Sequence, residues 1–377
     1  LMTSILKAGF AFLAYGCTEV QMMAPDGKTL VIANSLERNN IAVPLLLTPV
    51  LRGSTHGGGH ATSSSTASCM SFTAKYGFIG GISEVGMTVN EHSLDLSGFQ
   101  QPQDGVPTLC TGDFENWVLG THRNVAELAA ALATVRVVGT DGGQWGVADA
   151  SGASVVVEFV KGVLTLHNNT VGADNSGIGL MTNDPTWDWH LQNLNNFASL
   201  QPGWYATNNA KITRAVPPEA SYPWKHNAYN ADAPRVPEPI GHAYNLLGLP
   251  GDGSPPARFI RAFFLRGYAM LAAPPTDLNE TMVLAQELLN SVYKVMGTVA
   301  ARNSEDGIHT TPISSIKVVS NDPMPVRWVF HRSRADMMWR RLDLGKIDFS
   351  ANATSAKRAA RVTTASFAYV DVTEELR

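Results

Sequence analysis

Cys17-Thr18-Glu19-Val20-Gln21-Met22-Met23-Ala24-Pro25-Asp26-Gly27-Lys28-Thr29-Leu30-Val31-Ile32-Ala33 reads as two strands, Thr18–Met23 and Thr29–Ala33, folded back on each other at Asp26-Gly27. An Asp-Gly pair between apolar runs is a strong short-range hairpin signal, because its backbone tolerates the positive φ that a tight turn needs. The pattern recurs downstream. Val155–Val160 and Val163–His167 flank Lys161-Gly162, and Val326–Arg332 with Met337–Leu344 forms a late antiparallel pair. Ser71 to Asn90 reads as two strands about Gly80-Gly81, and Ala42–Leu51, with two prolines, as an edge strand or irregular segment. Helical periodicity marks Asp113–Leu119, Asn124–Val135, Trp187–Phe197 and Arg258–Leu271, and Asp277 with Glu280 caps a helix expected to run to Met296. Hairpins at both ends with helices between them predict an α+β fold of antiparallel sheets covered by helices, not βαβ units. No repeat or linker interrupts the chain, so residues 17–377 read as one domain.

Of 377 residues, 44% are hydrophobic and 16% charged, the balance of a folded globular chain. A net charge of −4 offers nucleic acid or an anionic membrane no electrostatic attraction. The first sixteen residues, LMTSILKAGFAFLAYG, carry one charge (Lys7) and an apolar run, Ala8 to Tyr15, too short to span a bilayer. Ala14 and Gly16 place small residues three and one positions before Cys17, the pattern a signal peptidase cuts after. The expectation is therefore a signal peptide over 1–16 and a secreted or periplasmic protein with no membrane span, and a buried strand or helix is the alternative. Sequons at Asn168, Asn279 and Asn352 fit a secreted chain but arise often by chance. Cys69 and Cys110 either pair, leaving Cys17 free, or all three are buried thiols.

The usual signatures of several chemistries are absent. There is no G-x-S-x-G elbow, no P-loop and no G-x-G-x-x-G, so neither a hydrolase serine nor a nucleotide is indicated. His56 and His60 bracket three glycines but lack further spaced ligands, and the Gly/Ser/Thr-rich stretch Gly53–Ser68 reads as an exposed loop; no cofactor or metal is expected. Cys17 is the stronger candidate. Made N-terminal by cleavage, it carries its own base in the α-amine, of pKa about 7.7–8.0, beside a thiol of pKa about 8.5.

Further motifs place the chain. Cys17-Thr18, Lys75-Tyr76-Gly77-Phe78, Ser83-Glu84-Val85-Gly86-Met87, Met181-Thr182-Asn183-Asp184-Pro185-Thr186-Trp187-Asp188-Trp189-His190, and Leu249-Pro250-Gly251-Asp252-Gly253-Ser254 leading to Arg258-Phe259-Ile260-Arg261 occur in one order. In these the sequence resembles the choloylglycine hydrolase and penicillin V acylase family of N-terminal-nucleophile hydrolases, from Cys17 to about Ser350. The resemblance implies an αββα sandwich of two stacked antiparallel sheets flanked by helices, which the strand pattern permits. It also implies hydrolysis of a linear amide through a thioester on Cys17. Asn183 would donate its amide to the oxyanion, a second donor would be a backbone N–H near Ser93, and Arg258 would orient the nucleophile region. Taken alone, Asn183 is a turn residue before Asp-Pro and Arg258 a surface charge at a helix start.

One motif departs from the family. Where relatives carry Arg-x-x-Asp, with Arg beside the thiol and Asp beside the α-amine, this chain reads Asn34-Ser35-Leu36-Glu37. Glu37 can still hold an ammonium, but Asn34 brings no charge, and Arg38 points to the opposite face. The substrate implied is a small-molecule amide: a bile-salt conjugate, a phenoxyacetyl amide such as penicillin V, or an N-acyl homoserine lactone. Specificity is expected in the loops Gly53–Ser68 and Trp204–Pro239, the second holding Tyr205, Tyr222, Trp224 and Tyr229. A homo-oligomer is compatible with the resemblance. Two rival readings stand beside the amidase: a binding or scaffold protein that kept the fold after losing the arginine, and a thiol protease needing a histidine partner near Cys17.

Overall fold

The computed structural model describes residues 17–39, 46–58, 68–140, 142–198, 200, 205–208, 211–214, 246, 248–300, 308–322, 324–334, 337–354 and 359–361. Twelve strands among them build the two main sheets: β1 (Thr18–Met23), β2 (Leu30–Asn39), β3 (Phe78–Ile79), β4 (Ile82–Ser83), β5 (Thr88–His92), β6 (Gln144–Ala148), β7 (Ser154–Val160), β8 (Val163–Asn168), β9 (Leu180–Met181), β10 (Ile308–Ser320), β11 (Val326–Ser333) and β12 (Trp339–Asp343). The hairpin anticipated at Asp26 closes β1 onto β2: the Asp26 carboxylate accepts the N–H groups of Lys28 (2.9 Å) and Thr29 (2.8 Å), and Gly27 takes φ +67°. The first sheet runs β9-β1-β2-β10-β11-β12, with Val299–Ala300 pairing to β10; the second runs β8-β7-β6-β5-β4-β3. The paired strands within both sheets are antiparallel.

The centre of the first sheet is β10, the longest strand, which the sequence pattern conceals. Its residues Ile308-His309-Thr310-Thr311-Pro312-Ile313-Ser314-Ser315 show no clean alternation and include a proline. Pro312 falls where the register against β2 breaks, between Thr310 and Ile313, a bulge at which a missing N–H costs the ladder nothing.

Each sheet buries its outer face under helices. Val20 and Met22 of β1, Val31 and Ala33 of β2, and Ile316 and Val318 of β10 pack against α4 (Pro255–Ala272) and α5 (Leu278–Ser291) through Phe259, Ala262, Leu284 and Leu288. The second sheet packs Val89, Trp145, Val147, Val157 and Phe159 against α1 (Phe114–Thr121) and α2 (Val125–Leu132). A third cluster, with Leu30, Ile32, Ile82, Ala148, Val319 and Val329, fills one end of the space between the sheets. The layers are thus helix, sheet, sheet, helix, the αββα arrangement. Side-chain alternation along β1, β2 and β10 leaves Glu19, Gln21, Asn34, Ser315 and Lys317 facing inward between the sheets.

The expected cap at Asp277 accepts the Glu280 N–H at 2.8 Å, and Asn124 caps α2 by accepting the Glu127 N–H at 2.8 Å. α5 ends at Ser291, five residues before the expected Met296, as the chain turns so that Lys294 can bond Thr311 on β10. Gly53–Ser68 is not simply a loop, because Thr55–Gly57 pairs with Ser71–Thr73 and His56 stacks on Phe72 at 5.9 Å; His60 lies outside the described residues. Cys69 and Cys110 are disulfide-bonded, with Cα atoms 5.5 Å apart, and Cys17 is free.

Candidate active site

Cys17 immediately precedes β1, at the edge of the first sheet's inner face, and is fully buried. Around it the structure brings together residues from β1, β2, α4 and the segments near Asn183 and Lys294. Arg258, in the first turn of α4, is also fully buried, so it is no surface charge. Its Nη1 donates to the Cys17 carbonyl (2.8 Å) and to Thr18 Oγ1, its Nη2 to Asn183 Oδ1 (2.8 Å), and its Nε to the Gly253 carbonyl (3.1 Å). One planar guanidinium therefore fixes the nucleophile's backbone and the side chain of Asn183 in a single geometry, a task its fork of donors suits.

Asn183 is 2% exposed and is held from every side. Its Nδ2 donates to the carbonyl and hydroxyl of Ser93, each at 3.0 Å, which sets Ser93 beside the same spot. Its backbone carbonyl accepts from His190 (2.8 Å), whose ring stacks on Phe259 at 4.8 Å and 10°. Burial drives the His190 pKa down to about 4, so the ring is neutral at physiological pH. Glu158 locks the next turn by accepting the Trp187 N–H (2.7 Å) while bonding His167 (2.9 Å). The Thr182–His190 stretch is thus clamped between both sheets and α4, which is a reason for its dense pattern of Trp and His.

Glu37 is fully buried on the helix-facing side of β2. Its carboxylate pairs with Lys294 Nζ at 2.7 Å, stands 3.7 Å from Arg258 Nη1, and accepts the Ser35 hydroxyl at 3.0 Å. Lys294 is the residue that sequence reasoning missed. A lysine just past a helix end reads as solvated, and nothing local says that its ammonium is buried 5% exposed against Glu37. Burial lowers the Lys294 pKa, and the Glu37 carboxylate works in the opposite direction. Asn34 points between the sheets: its Nδ2 donates to the Thr18 carbonyl (3.3 Å) and lies 3.4 Å from His92 Nε2. His92 is buried beside the Cys17 carbonyl and its pKa falls to about 3, chiefly through burial and then the nearby Arg258 charge.

The Cys17 thiol itself is pushed up to about 12, mainly by burial. A hydrogen bond from the Glu37 backbone and the charges of Arg258 and Lys294 pull it down, and the Glu37 carboxylate pushes it further up. Among the described residues no group of three or more His, Cys, Asp or Glu side chains is placed to hold a metal ion, and no helix is long and apolar enough to cross a membrane. Of the expected specificity loops, Tyr205–Asn208 pairs with Lys211–Arg214, while Tyr222, Trp224 and Tyr229 lie outside the described residues.

Comparison with known proteins agrees with this geometry. Residues 27–214 and 224–322 match the family described as linear amide C-N hydrolases, choloylglycine hydrolase family. The chain is 28% identical over 227 residues to the bile salt hydrolase/transferase of Clostridium perfringens, covering 56% of this chain and 59% of that one. It therefore spans about three fifths of that curated relative. Among solved structures, a mutant of the conjugated bile acid hydrolase from Clostridium perfringens superposes with a TM-score of 0.70 at 19% identity, over 95% of this chain and 100% of the other. Penicillin V acylase from Agrobacterium tumefaciens gives a TM-score of 0.62 at 20% identity, over 89% of each chain. These two likenesses show the fold, an αββα sandwich of stacked antiparallel sheets. One expectation is corrected here. Kinship with bile salt hydrolases of Clostridium perfringens, Lactobacillus acidophilus and Bifidobacterium longum contradicts the reading of a secreted or periplasmic protein, and that reading is withdrawn.

Proposed function

This chain belongs to the choloylglycine hydrolase family of linear amide C–N hydrolases, and from that premise we propose that it cleaves a small-molecule amide with Cys17 as an N-terminal nucleophile. The observation that carries the proposal is the Arg258 fork, which ties the Cys17 carbonyl to the Asn183 side chain. In the active form the bond before Cys17 is cut and the freed α-amine takes the thiol proton. The thiolate attacks the amide carbon, and charge gathers on the carbonyl oxygen. Asn183 turns an N–H from Ser93 to that oxygen, joined by a backbone N–H near Ser93. Collapse of the tetrahedral intermediate breaks the C–N bond, and the proton held by the α-amine passes to the leaving nitrogen. The amine departs and leaves a thioester on Cys17. Water, deprotonated by the α-amine, then releases the carboxylic acid and restores the thiol.

Asn34 supplies no charge to the thiolate, and here Arg258 and Lys294 are the cations whose fields reach it. With residue 16 still attached the nitrogen of Cys17 is an amide and the thiol is buried at a pKa of about 12, so the uncut chain is the inactive form. Bile-salt conjugates, penicillin V and other N-acyl amides are the substrates to try first, given the relatives' names. Mass analysis of the purified protein, paired with turnover of these amides, tests the proposal. Activity is expected only in chains that begin at Cys17, and turnover by chains retaining Gly16 would refute an N-terminal nucleophile. A second reading, a binding protein with no turnover, draws on the same high thiol pKa and on Asn34; chains beginning at Cys17 that hydrolyse none of these amides would favour it.

A further inference from the structure

Glu37 is where the sequence expects the α-ammonium of Cys17 to be held, and in the structure that carboxylate already holds another ammonium. Lys294 Nζ stands 2.7 Å from Glu37 Oε2, and Arg258 Nη1 stands 3.7 Å from the same oxygen. All three side chains are buried. The lysine does not arrive there through the reach of its side chain alone. Its backbone N–H donates to Thr311 Oγ1 (2.9 Å), and its carbonyl accepts the Thr310 hydroxyl (3.1 Å) and the Thr311 N–H (3.2 Å). β10 therefore pins Lys294 through both of its backbone groups.

The cluster holds one buried carboxylate and two buried cations, so it carries one positive charge in excess. A buried charge left without a counter-charge is costly. The groups around the cluster do not supply one. Arg261, the next cation on α4, bears on Arg258 and Glu37 but is itself faced by Asp252. Asn34 is uncharged, and burial keeps His92 of β5 neutral, with a pKa of about 3. On the inner side of the sheet a cleft of about 230 Å³ beside Asn34 is lined by Glu115, Lys317 and His331, among others. There the charge of Lys317 is faced by Glu19 and Glu115, and His331 is neutral, its pKa lowered to about 3 by burial. The group placed to balance the cluster is the Cys17 thiol. The Glu37 backbone N–H donates to its sulfur, Arg258 binds its carbonyl at 2.8 Å, and the charges of Glu37, Arg258 and Lys294 all bear on it.

We propose that Lys294 is a positioning residue for the nucleophile: by occupying Glu37 it denies that carboxylate to the α-ammonium, and it leaves the cluster one positive charge that a thiolate at Cys17 balances. The freed α-amine is thereby kept as the neutral base, because as an ammonium it would be a third cation beside one carboxylate. The inference rests on the amidase reading for its purpose, while the charge relation that it states is independent of turnover. Lys294 thus does from the helix side of β2 what the uncharged Asn34 cannot do from the other.

The pH dependence of Cys17 alkylation by iodoacetamide, in chains beginning at Cys17 and with no substrate present, tests it. Lys294→Met should raise the midpoint by about one pH unit and slow alkylation about tenfold near pH 7, the lower end of what one opposite charge at 4–6 Å does to an ionisation equilibrium. Lys294→Arg restores the charge and should recover the parent profile. Glu37→Gln removes the anion and keeps both cations, so its midpoint should move down; it serves as the second variant should Lys294→Met fail to fold. A Lys294→Met profile that superimposes on the parent's, or a Lys294→Arg profile displaced equally far, overturns the proposal, as does a Glu37→Gln midpoint that stays or rises. Amide hydrolysis is scored on the same chains. Shifted profiles beside a parent that cleaves no amide would sink the amidase reading and leave the charge relation standing, and unshifted profiles beside an active parent would do the reverse.

Discussion

Arg258→Lys separates a structural fork from a mere positive charge. The guanidinium reaches the Cys17 carbonyl and Thr18 hydroxyl through Nη1, Asn183 through Nη2 and Gly253 through Nε. A lysine keeps the charge beside Glu37, but its single nitrogen cannot serve acceptors set around a planar fork, so one or two of these bonds are lost. Each bond to a charged donor contributes about 1.5–3 kcal/mol, and the site is fully buried, so a loss of about 2–5 kcal/mol of stability is expected. Glu37 still has Lys294 at 2.7 Å, which keeps the larger penalty of an orphaned buried carboxylate out of the sum. A domain of ordinary stability, about 5–15 kcal/mol, survives this. Urea titration should show a lower midpoint with an unchanged slope. Amide turnover should fall more than a hundredfold, because Asn183 is no longer aimed. A variant within about 0.5 kcal/mol of the parent and equally active would refute the claim that the fork organises the site.

Asn183→Ala should leave the chain folded but lower its stability by about 1.5–3 kcal/mol, the buried bond from Arg258 Nη2 being lost, beside a turnover drop of about a hundred- to a thousandfold, the usual effect of one lost oxyanion donor; near-normal turnover would return Asn183 to the role of a turn residue. In the uncut chain Cys17 titrates at about 12 against an ordinary 9.0, so at pH 8 its thiolate is about a thousandfold scarcer than in unfolded protein. Iodoacetamide labelling of folded uncut chain should accordingly be very slow at pH 8, and rapid labelling there would contradict the buried thiol. His92, His190 and His331 are held neutral by burial, with pKa values near 3, 4 and 3. Below pH 6.5 the unfolded chain binds protons at these positions and the folded chain does not, so stability falls as pH drops from 6.5 towards 4, by about 1 kcal/mol per histidine per pH unit. Urea midpoints that stay flat across that range would show these rings to be solvated.

What the sequence disclosed, and what it hid, follows from where the information is local. The β1–β2 hairpin is written in Asp26-Gly27, and the cap Asp277 is three residues from the N–H group that it accepts. Cys17 stood out by the small residues before it, and Asn183 and Arg258 only through motifs, since taken alone they are a turn residue and a surface charge. Their meeting needs a chain separation of 241 residues to close in space, which no local pattern encodes. β10 was hidden because Pro312 and the polar run around it mimic a loop until a bulge accommodates them. Lys294 and His331 were hidden for the opposite reason: nothing nearby in sequence marks a charged or imidazole side chain as buried, and only the neighbouring strands and helices make it so.

The alternation along β2 ties these pieces into one mechanism. Ser35 and Glu37 share the face of Val31 and Ala33, towards the helices, so Glu37 meets Arg258 from α4 and the Lys294 that follows α5. Asn34 and Leu36 share the face of Ile32, towards the second sheet, and so border the cleft with Lys317, Glu115 and His331. Cys17 precedes β1 beside Arg258, with the charged cluster of Glu37, Arg258 and Lys294 on the helix side and Asn34 on the other. A slip of one residue in β2 would exchange the faces, moving Glu37 into the cleft and Asn34 among the helices. The registers Thr18↔Ser35 and Ser315↔Asn34 prevent that, pinned on one side by the Asp26 turn and on the other by the apolar pairs Ala33↔Ile316 and Val31↔Val318. The apolar packing under α4 and α5 is therefore what keeps Glu37 and its two cations on the helix side of the sheet and Asn34 on the side of the second sheet.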